Sequence, residues 1–433
     1  MDTDIIVIGA GPAGLMAAKA ASDEGLRTII VDKKKDIPTY NKPCCSMLLL
    51  EPDYHDENLD TADGKITFKK TGFSVDYSGE YVDLVGSMRF SPSLHPFTIK
   101  ANPYPAAKVL DKEMLAKGLF SKIESAGVDI RPSTQGIIAE EIKDGVSVKV
   151  RDKNGEKDLT AQFAFIADGV SSNVVNRMGL NKDRKLYAKG LALSFMLDGV
   201  NFPYPDAFAA FIGKRYTNAG QFYMTPKRMN KFGKDKTVWE LTFGVPTGMD
   251  VNPKEKLMEF KNEGPIKDWI ADAKILEEIG CAMSFYAPIE NPANGRIVIL
   301  GDSASFQEVE NQGALMCGYT AVKLVKEFLG GERDSLDEYN EFWKRCFEFN
   351  HPGVVEATAR TYAIHTFNDE QLDYLFSLEE QFTTPGWINH CTCADVMFAA
   401  FSRHLERIKG DSPELAETIK KYSTIAVDSA LNT

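Results

Sequence analysis

Cysteine and histidine are scarce in this chain of 433 residues, with seven and six copies. An odd number of cysteines in a long chain excludes a disulfide scaffold and points to reduced thiols in a cytosolic setting. Cys44-Cys45 and Cys391-x-Cys393 lack the spacings of zinc or iron–sulfur ligands, so no metal site is expected. His351, His365 and His390 have no partner identifiable along the sequence and read as surface or capping side chains. No run approaches the roughly 18 apolar residues of a membrane span. The first strand begins by residue 4, which leaves no room for a signal peptide, so a cytoplasmic location is expected. A basic cluster is also missing and the net charge is −12, which argues against nucleic acid as a partner. There is no internal repeat and no low-complexity segment. The length suggests two or three domains around large cores.

What is present is concentrated at the start. Ile5 to Ile8 reads as a buried parallel strand, Leu15 to Asp23 as a helix, and Thr28 to Val31 as a second strand tipped by Asp32. Between the first two lies Gly9-Ala10-Gly11-Pro12-Ala13-Gly14. Gly9 permits the tight turn, Gly11 lets a pyrophosphate approach the backbone, and Gly14 lets the helix pack close on the strand. The helix start offers free N–H groups and partial positive charge to phosphates. Asp32 stands where a carboxylate accepts hydrogen bonds from ribose hydroxyls. These features together predict a dinucleotide site.

Further along, Lys65–Lys69, Phe73–Tyr77 and Tyr81–Leu84 alternate like short antiparallel strands. Ala106 to Ala126 has the spacing of an amphipathic helix stopped by Gly127. Gly136–Ile142 and Val146–Arg151 flank Lys143-Asp144-Gly145 as a hairpin. Gly190 to Val245 is a run of aromatic-rich β segments, followed by helices at Pro253–Asn262 and Pro265–Ala273. Gly313 to Leu329 is helical, and the remainder beyond Gly330-Gly331 reads as helices. Two later buried strands also end in acids, at Asp168-Gly169 and at Gly301-Asp302. In an open α/β sheet ligands lie beyond the carboxyl ends of the strands, and three acids there suit a ligand with several hydroxyl groups.

The set GAGPAG (9–14), ADGVSS (167–172) and GDSA (301–304) resembles the flavoprotein superfamily of the para-hydroxybenzoate hydroxylase fold. Lys42-Pro43-Cys44, a Trp343-containing helix and Asp369-Glu-Gln-Leu-Asp373 resemble its geranylgeranyl reductase group most closely. The resemblance implies an α/β chain (α+β overall). It would comprise a discontinuous Rossmann-like FAD-binding domain (1–75, 101–180 and 281–332), an inserted antiparallel-sheet substrate domain (76–100 and 181–280) and a C-terminal helical region (333–433).

It also implies FAD as cofactor, held by Gly9, Gly11, Pro12, Ala13, Gly14, Asp32, Lys33, Lys42, Pro43, Cys44, Lys108, Asp168, Gly169, Gly301, Asp302, Gln312, Gly313 and Ala314. Asp302 would bind the ribityl chain, and the N–H groups of residues 312–314 would face the flavin pyrimidine edge, where a positive helix end stabilises an anionic reduced ring. Three departures stand out. The arginine expected ahead of the 110–126 helix is absent, with Ala107 and Lys108 in its place. The Tyr-x-Trp-x-Phe-Pro segment appears as GQFYMTPKR (220–228), without tryptophan. After GD the usual proline and glycine cluster is replaced by Val309 and Gln312-Gly313-Ala314.

Cys44 is the candidate catalytic residue, placing a thiol where it positions a double bond or donates a proton. Its competing role is that of a small buried hydrophobe, as free cysteine often is. Phe211, Phe222, Tyr223, Trp239 and Phe243, with Phe195, are candidates to line an apolar substrate tunnel, against the alternative of plain core. Glu308 and Glu310 flank the expected flavin edge as a proton relay or as helix N-terminal charges. The implied reaction is reduction of carbon–carbon double bonds in a prenyl-type substrate. The alternatives are an aromatic-ring monooxygenase using NAD(P)H and oxygen, a quinone-linked electron-transfer flavoprotein, and a non-catalytic flavin-binding protein. No second glycine motif marks a nicotinamide site, which leaves both NAD(P)H and a reduced ferredoxin-like protein open as electron donors. A lipid substrate would imply at most peripheral contact with the inner face of the membrane.

Overall fold

The computed structural model describes residues 1–102, 104–217, 220–360, 364, 366–384 and 393–423. The expected mixed α/β architecture is present. A parallel array runs in the order Asp129–Arg131, Thr28–Val31, Thr3–Ile8, Gly155–Ile166, with Ile297–Ile299 beside the last of these. The near-continuous apolar sequence of these strands follows from burial on both faces. Gly155–Ile166 is long enough to join the parallel and antiparallel parts of one eight-stranded sheet. Its first half pairs antiparallel with Gly145–Asp152, which pairs in turn with Gln135–Ile142, and its second half lies between Thr3–Ile8 and Ile297–Ile299. Helix Pro12–Asp23 packs directly on helix Glu310–Gly330. A Cβ at Gly318 would run into the Ala13 carbonyl oxygen, so only glycine permits that approach.

A second sheet of eight strands runs in the order Lys274–Tyr286, Leu186–Asp198, Thr237–Pro246, Gln221–Arg228, Ala207–Phe211, Gly86–Phe90, Pro96–Ala101, Gln381–Thr384. It is antiparallel except at two junctions, Ala207–Phe211 with Gly86–Phe90 and Pro96–Ala101 with Gln381–Thr384. The region expected to be wholly helical thus adds an edge strand. Its helices Asp369–Leu378, Cys393–Ser402 and Pro413–Ser423 form a core with Phe97 and Ile99. His365, His390 and Cys391 lie outside the described residues.

One expected helix is shortened. Ala107–Leu110 is a strand between Met47–Leu49 and Tyr81–Leu84, and the helix begins at Lys112. The reason is local. Asp111 accepts from the Glu113 and Met114 N–H groups and caps the helix there. Pro265–Ala273 likewise shortens to one turn, Lys267–Ile270.

Candidate active site

The glycine turn has the geometry its residues demand. Gly9 has φ +102°, and a Cβ there would meet the Ala167 carbonyl; a Cβ at Gly14 would meet the Gly9 carbonyl. Gly11 is different, because an added Cβ would find no atom within 4 Å. It is the N-cap of Pro12–Asp23, with no side chain capping the helix start. Open space beside an uncapped helix N-terminus suits a pyrophosphate. Asp32 is buried at the end of the second strand and accepts from the Ala10 and Lys34 N–H groups, both at 2.7 Å. Its carboxylate is thereby fixed beside the turn, while Lys33 is exposed.

The other two acid-tipped strands end at the same edge. The Gly169 N–H donates to Ser303 Oγ at 2.8 Å, joining the ADG and GD segments. Asp168 accepts from Ser172 Oγ and from the Val174 N–H (3.4 Å), so its carboxylate holds the start of helix Asn173–Arg177. Burial pushes its pKa up. Asp302 accepts from the Val309 N–H at 2.9 Å. Burial raises its pKa, against the pull of that N–H and of Lys112 and the exposed Lys42.

Helix Glu310–Gly330 starts without a side-chain cap. Its first N–H groups and positive dipole end are therefore available. The Gln312 side chain is occupied: its amide accepts from the Leu49 N–H (2.8 Å) and donates to the Leu49 carbonyl (3.2 Å). Only its backbone remains for a ligand. Gly313 is required because a Cβ would lie 2.6 Å from the Phe347 ring, and the adjoining Ala314 is buried.

Cys44, beside half-buried Pro43, sits in a polar network that sequence reasoning did not anticipate. Its sulfur accepts from Lys112 Nζ (3.4 Å) and the Ser46 N–H (3.3 Å). Its N–H donates to Glu240 (3.3 Å), and its carbonyl accepts from Lys227 Nζ (2.5 Å) and the Tyr40 hydroxyl (3.0 Å). Lys227 and Glu240 form an ion pair at 2.9 Å, each side chain only 2% exposed. Burial opposes the charge of Lys112, but Cys44 and Asp302 outweigh it and raise its pKa. Cys45 is half-buried, and burial pushes its thiol well up. Glu308 is exposed to solvent at the start of the segment that leads into helix Glu310–Gly330. Loss of surrounding water, then Glu310 and Asp302, push its pKa up to about 8. A signal for Lys227 and Glu240 existed, since each is a charge inside an apolar strand and the two strands pair. Lys112 carried none.

Four of the five aromatic tunnel candidates belong to the core instead. Phe211, Phe222, Trp239 and Phe243 pack with Phe195 beneath helix Pro253–Asn262, and Phe222 stacks on Phe243 (4.5 Å) and Phe260 (4.1 Å). Successive strand residues face opposite sides. Tyr223 therefore lies on the other face, beside Phe208 and the Lys227–Glu240 pair. Lys108 is also placed elsewhere than expected: it pairs with Asp83 at 2.6 Å and lies over the Tyr81 ring. The lysine directed to Cys44 is Lys112.

His55 was invisible in the sequence. It is buried between Glu310 and Glu348, 3.4 Å from each, and the Tyr54 hydroxyl lies within reach of both carboxylates, 3.1 Å from Glu310 and 3.4 Å from Glu348, with one proton to share between them. His55 and Glu310 both have φ +58°, a strained region for non-glycine residues. Burial alone would lower the imidazole pKa, but the two carboxylates overcome it and raise the pKa to about 9. A raised folded-state pKa gives stability that is complete below the unfolded value, 6.5, and is lost as pH climbs through about 9. Unfolding free energy should fall over that interval by up to about 3 kcal/mol. A His55→Gln variant should lose this dependence in thermal melts at pH 6.5 and 9.5; an unchanged pH slope would refute the ion-pair assignment.

Residues 2–256 match the sequence profile of the FAD binding domain family. Digeranylgeranylglycerophospholipid reductase 1 of Methanosphaera stadtmanae is 23% identical over 387 residues, 87% of this chain and 88% of that protein. Digeranylgeranylglycerophospholipid reductase 2 of Methanococcoides burtonii is 24% identical over 403 residues, 89% and 90% of the two chains. Among solved structures, a geranylgeranyl bacteriochlorophyll reductase-like protein from Thermoplasma acidophilum superposes with a TM-score of 0.67 at 18% identity, covering 97% of this chain and 99% of the other. The p-nitrophenol 4-monooxygenase PnpA of Pseudomonas putida gives 0.60 at 15% identity, with 94% and 97% covered. At these identities the structural likenesses establish the fold that is shared. The glycine turn, the open space at Gly11 and the two uncapped helix starts fit a flavin dinucleotide. With more than half its length matched, the chain belongs to the FAD binding domain family, as an FAD-dependent oxidoreductase of geranylgeranyl reductase-like fold.

Proposed function

We propose that the protein reduces carbon–carbon double bonds of an apolar, prenyl-type substrate, with Cys44 as the side chain at the reacting carbons. The carrying observation is the Cys44 thiol, gripped by Lys112 on one side and anchored through its backbone to the buried Lys227–Glu240 pair on the other. A cysteine serving only as packing needs neither charge. The names of the reductases similar along nearly the whole chain point the same way. Bound FAD supplies the hydride. The protein holds the cofactor through the Gly9–Gly14 turn, Asp32, Asp302 and the start of helix Glu310–Gly330, and orients the substrate against the sheet face that carries Tyr223. Lys112 polarises the Cys44 sulfur. Glu308, its pKa raised by desolvation and by the neighbouring Glu310 and Asp302, is a proton source for the carbon that receives no hydride. Electrons reach the site from NAD(P)H docking transiently or from a reduced ferredoxin-like protein, and a lipid substrate places the protein in peripheral contact with the membrane's inner face.

The test is anaerobic photoreduction of the holoenzyme followed by rapid mixing with a geranylgeranyl lipid or with oxygenated buffer. Faster reoxidation by the lipid is expected. Reoxidation by oxygen that accelerates when an aromatic compound is present would instead identify a ring hydroxylase. Cys44→Ala should keep its FAD and react with the lipid about 100-fold more slowly. An unchanged rate would return Cys44 to a packing role.

A further inference from the structure

The helix that begins at Glu310 carries an acid where a reduced flavin needs positive charge. A helix start is the positive end of its dipole, and a carboxylate in the first turn cancels part of that field. Glu310 is the first residue of Glu310–Gly330, and its side chain is only 13% exposed. Its charge is felt in the cofactor site: burial raises the pKa of Asp302 and of Glu308, and Glu310 raises both further. The same turn is built to meet a ligand. Asn311 is 3% exposed and donates to the Met47 carbonyl (3.2 Å), yet its Oδ1 is buried without a donor, as is Oε1 of Gln307. A buried acceptor left unpaired costs free energy that a ligand N–H or O–H recovers.

The acid at the helix start is answered from a distant segment. His55 turns Nε2 to Glu310 and Nδ1 to Glu348, each at 3.4 Å. A neutral imidazole has one N–H, so serving two carboxylates from both nitrogens requires the imidazolium. Its ring packs between Tyr54 (centroids 4.0 Å apart) and Phe347 (4.8 Å), which keep water from the charge. The same Phe347 ring lies against Gly313, so the cluster stands directly behind the first helical turn. Nearby charges are taken up among themselves, Asp56 by Arg345 and Lys70, and Asp53 by Lys70. On Glu308 the two partners act in opposite senses, Glu310 raising its pKa and His55 lowering it. The positive φ shared by His55 and Glu310 persists only where the surrounding structure enforces it.

We propose that His55 is a positioning residue for charge: by neutralising Glu310 it keeps the helix start positive and so sets the reduction potential of the bound flavin. This rests on the flavin lying at that helix start and not on the identity of the substrate. The test is the two-electron potential of FAD-loaded protein, measured by spectroelectrochemistry against reference dyes at pH 8, where an unpaired carboxylate is largely ionised. His55→Gln leaves Glu310 uncompensated and should weaken binding of reduced relative to oxidised flavin about 10-fold, a fall of about 30 mV. Glu310→Gln should shift the potential upward by a similar amount. The double variant His55→Gln/Glu310→Gln should return close to wild type, because cation and anion leave together. A loss of packing alone would accumulate in the double variant instead of cancelling. An unchanged potential in His55→Gln, or shifts of the same sign in both single variants, overturns the proposal. Should His55→Gln fail to fold or to hold flavin, Glu310→Gln carries the test, and a potential that does not rise refutes it. No lipid enters these measurements, so their failure leaves the double-bond reductase reading standing. Failure of a prenyl lipid to reoxidise the reduced protein sinks that reading and leaves the potentials as evidence for His55.

Discussion

A Gly11→Val substitution should abolish flavin retention while leaving the protein folded. The two halves of this result have separate causes. At Gly11 the backbone has φ −82° and ψ −176°, extended values that valine adopts readily, and an added Cβ meets no protein atom within 4 Å. The cost to the fold is that of a poor N-cap residue, about 1 kcal/mol. The space filled by the isopropyl group is the space through which phosphate oxygens approach the N–H groups of the following turn. Affinity for FAD should fall on the order of 100-fold or more, equivalent to about 3 kcal/mol. The 450 nm to 280 nm absorbance ratio of the purified variant reports the loss, and far-ultraviolet circular dichroism reports the intact fold. Gly14→Ala is the contrasting control, because its Cβ would strike the Gly9 carbonyl and damage the strand–helix packing itself. A valine variant purified with full flavin would remove the pyrophosphate from this turn.

The second large effect concerns the buried pair beneath Cys44. Lys227→Met should destabilise the protein by about 3–5 kcal/mol, the range for removing one partner of a buried ion pair. Glu240 would remain enclosed with only the Cys44 N–H (3.3 Å) and the Tyr40 hydroxyl (3.2 Å), whose single proton the Cys44 carbonyl shares, to satisfy a full charge. Most of the penalty is that stranded carboxylate. Adding Glu240→Gln to Lys227→Met should therefore recover a large part of the loss, although each change alone is harmful. Denaturant unfolding of wild type, the two single variants and the double variant measures this coupling. A Lys227→Met protein within 1 kcal/mol of wild type, or penalties that simply add, would show that the pair does not support the 44–46 segment.

The nucleotide half of the site was legible because its constraints are local. Gly9, Gly11 and Gly14 act within one turn, and Asp32 stands at the tip of the next strand. The catalytic half was only partly legible because its constraints are distant. His55 meets Glu310 and Glu348 from a separate segment, and Lys112 reaches Cys44 across 68 positions. The aromatic strands show a different limit. Alternation separates Phe222 from Tyr223 into two faces, but which face a helix covers depends on where residues 253–262 return, and nothing in the strand says so. The misplaced helix start had a readable cause, since Asp111 is followed by Glu113 and Met114 N–H groups that it caps; the apolar periodicity of 106–126 simply ran through the boundary.

The pairing of Thr98–Ala101 with Gln381–Thr384 has a consequence for how the chain is made. The strand at Pro96–Ala101 emerges from the ribosome early, whereas the strand that covers its outer edge follows only after 280 or so further residues. At about 5–20 residues per second the unprotected backbone edge persists for roughly 15–55 s of synthesis. Exposed edges of this kind recruit other strands and seed aggregation. The nascent protein therefore has an obligate interval of vulnerability, and heterologous expression should improve when elongation is hastened, or a holding chaperone is supplied, between those two points.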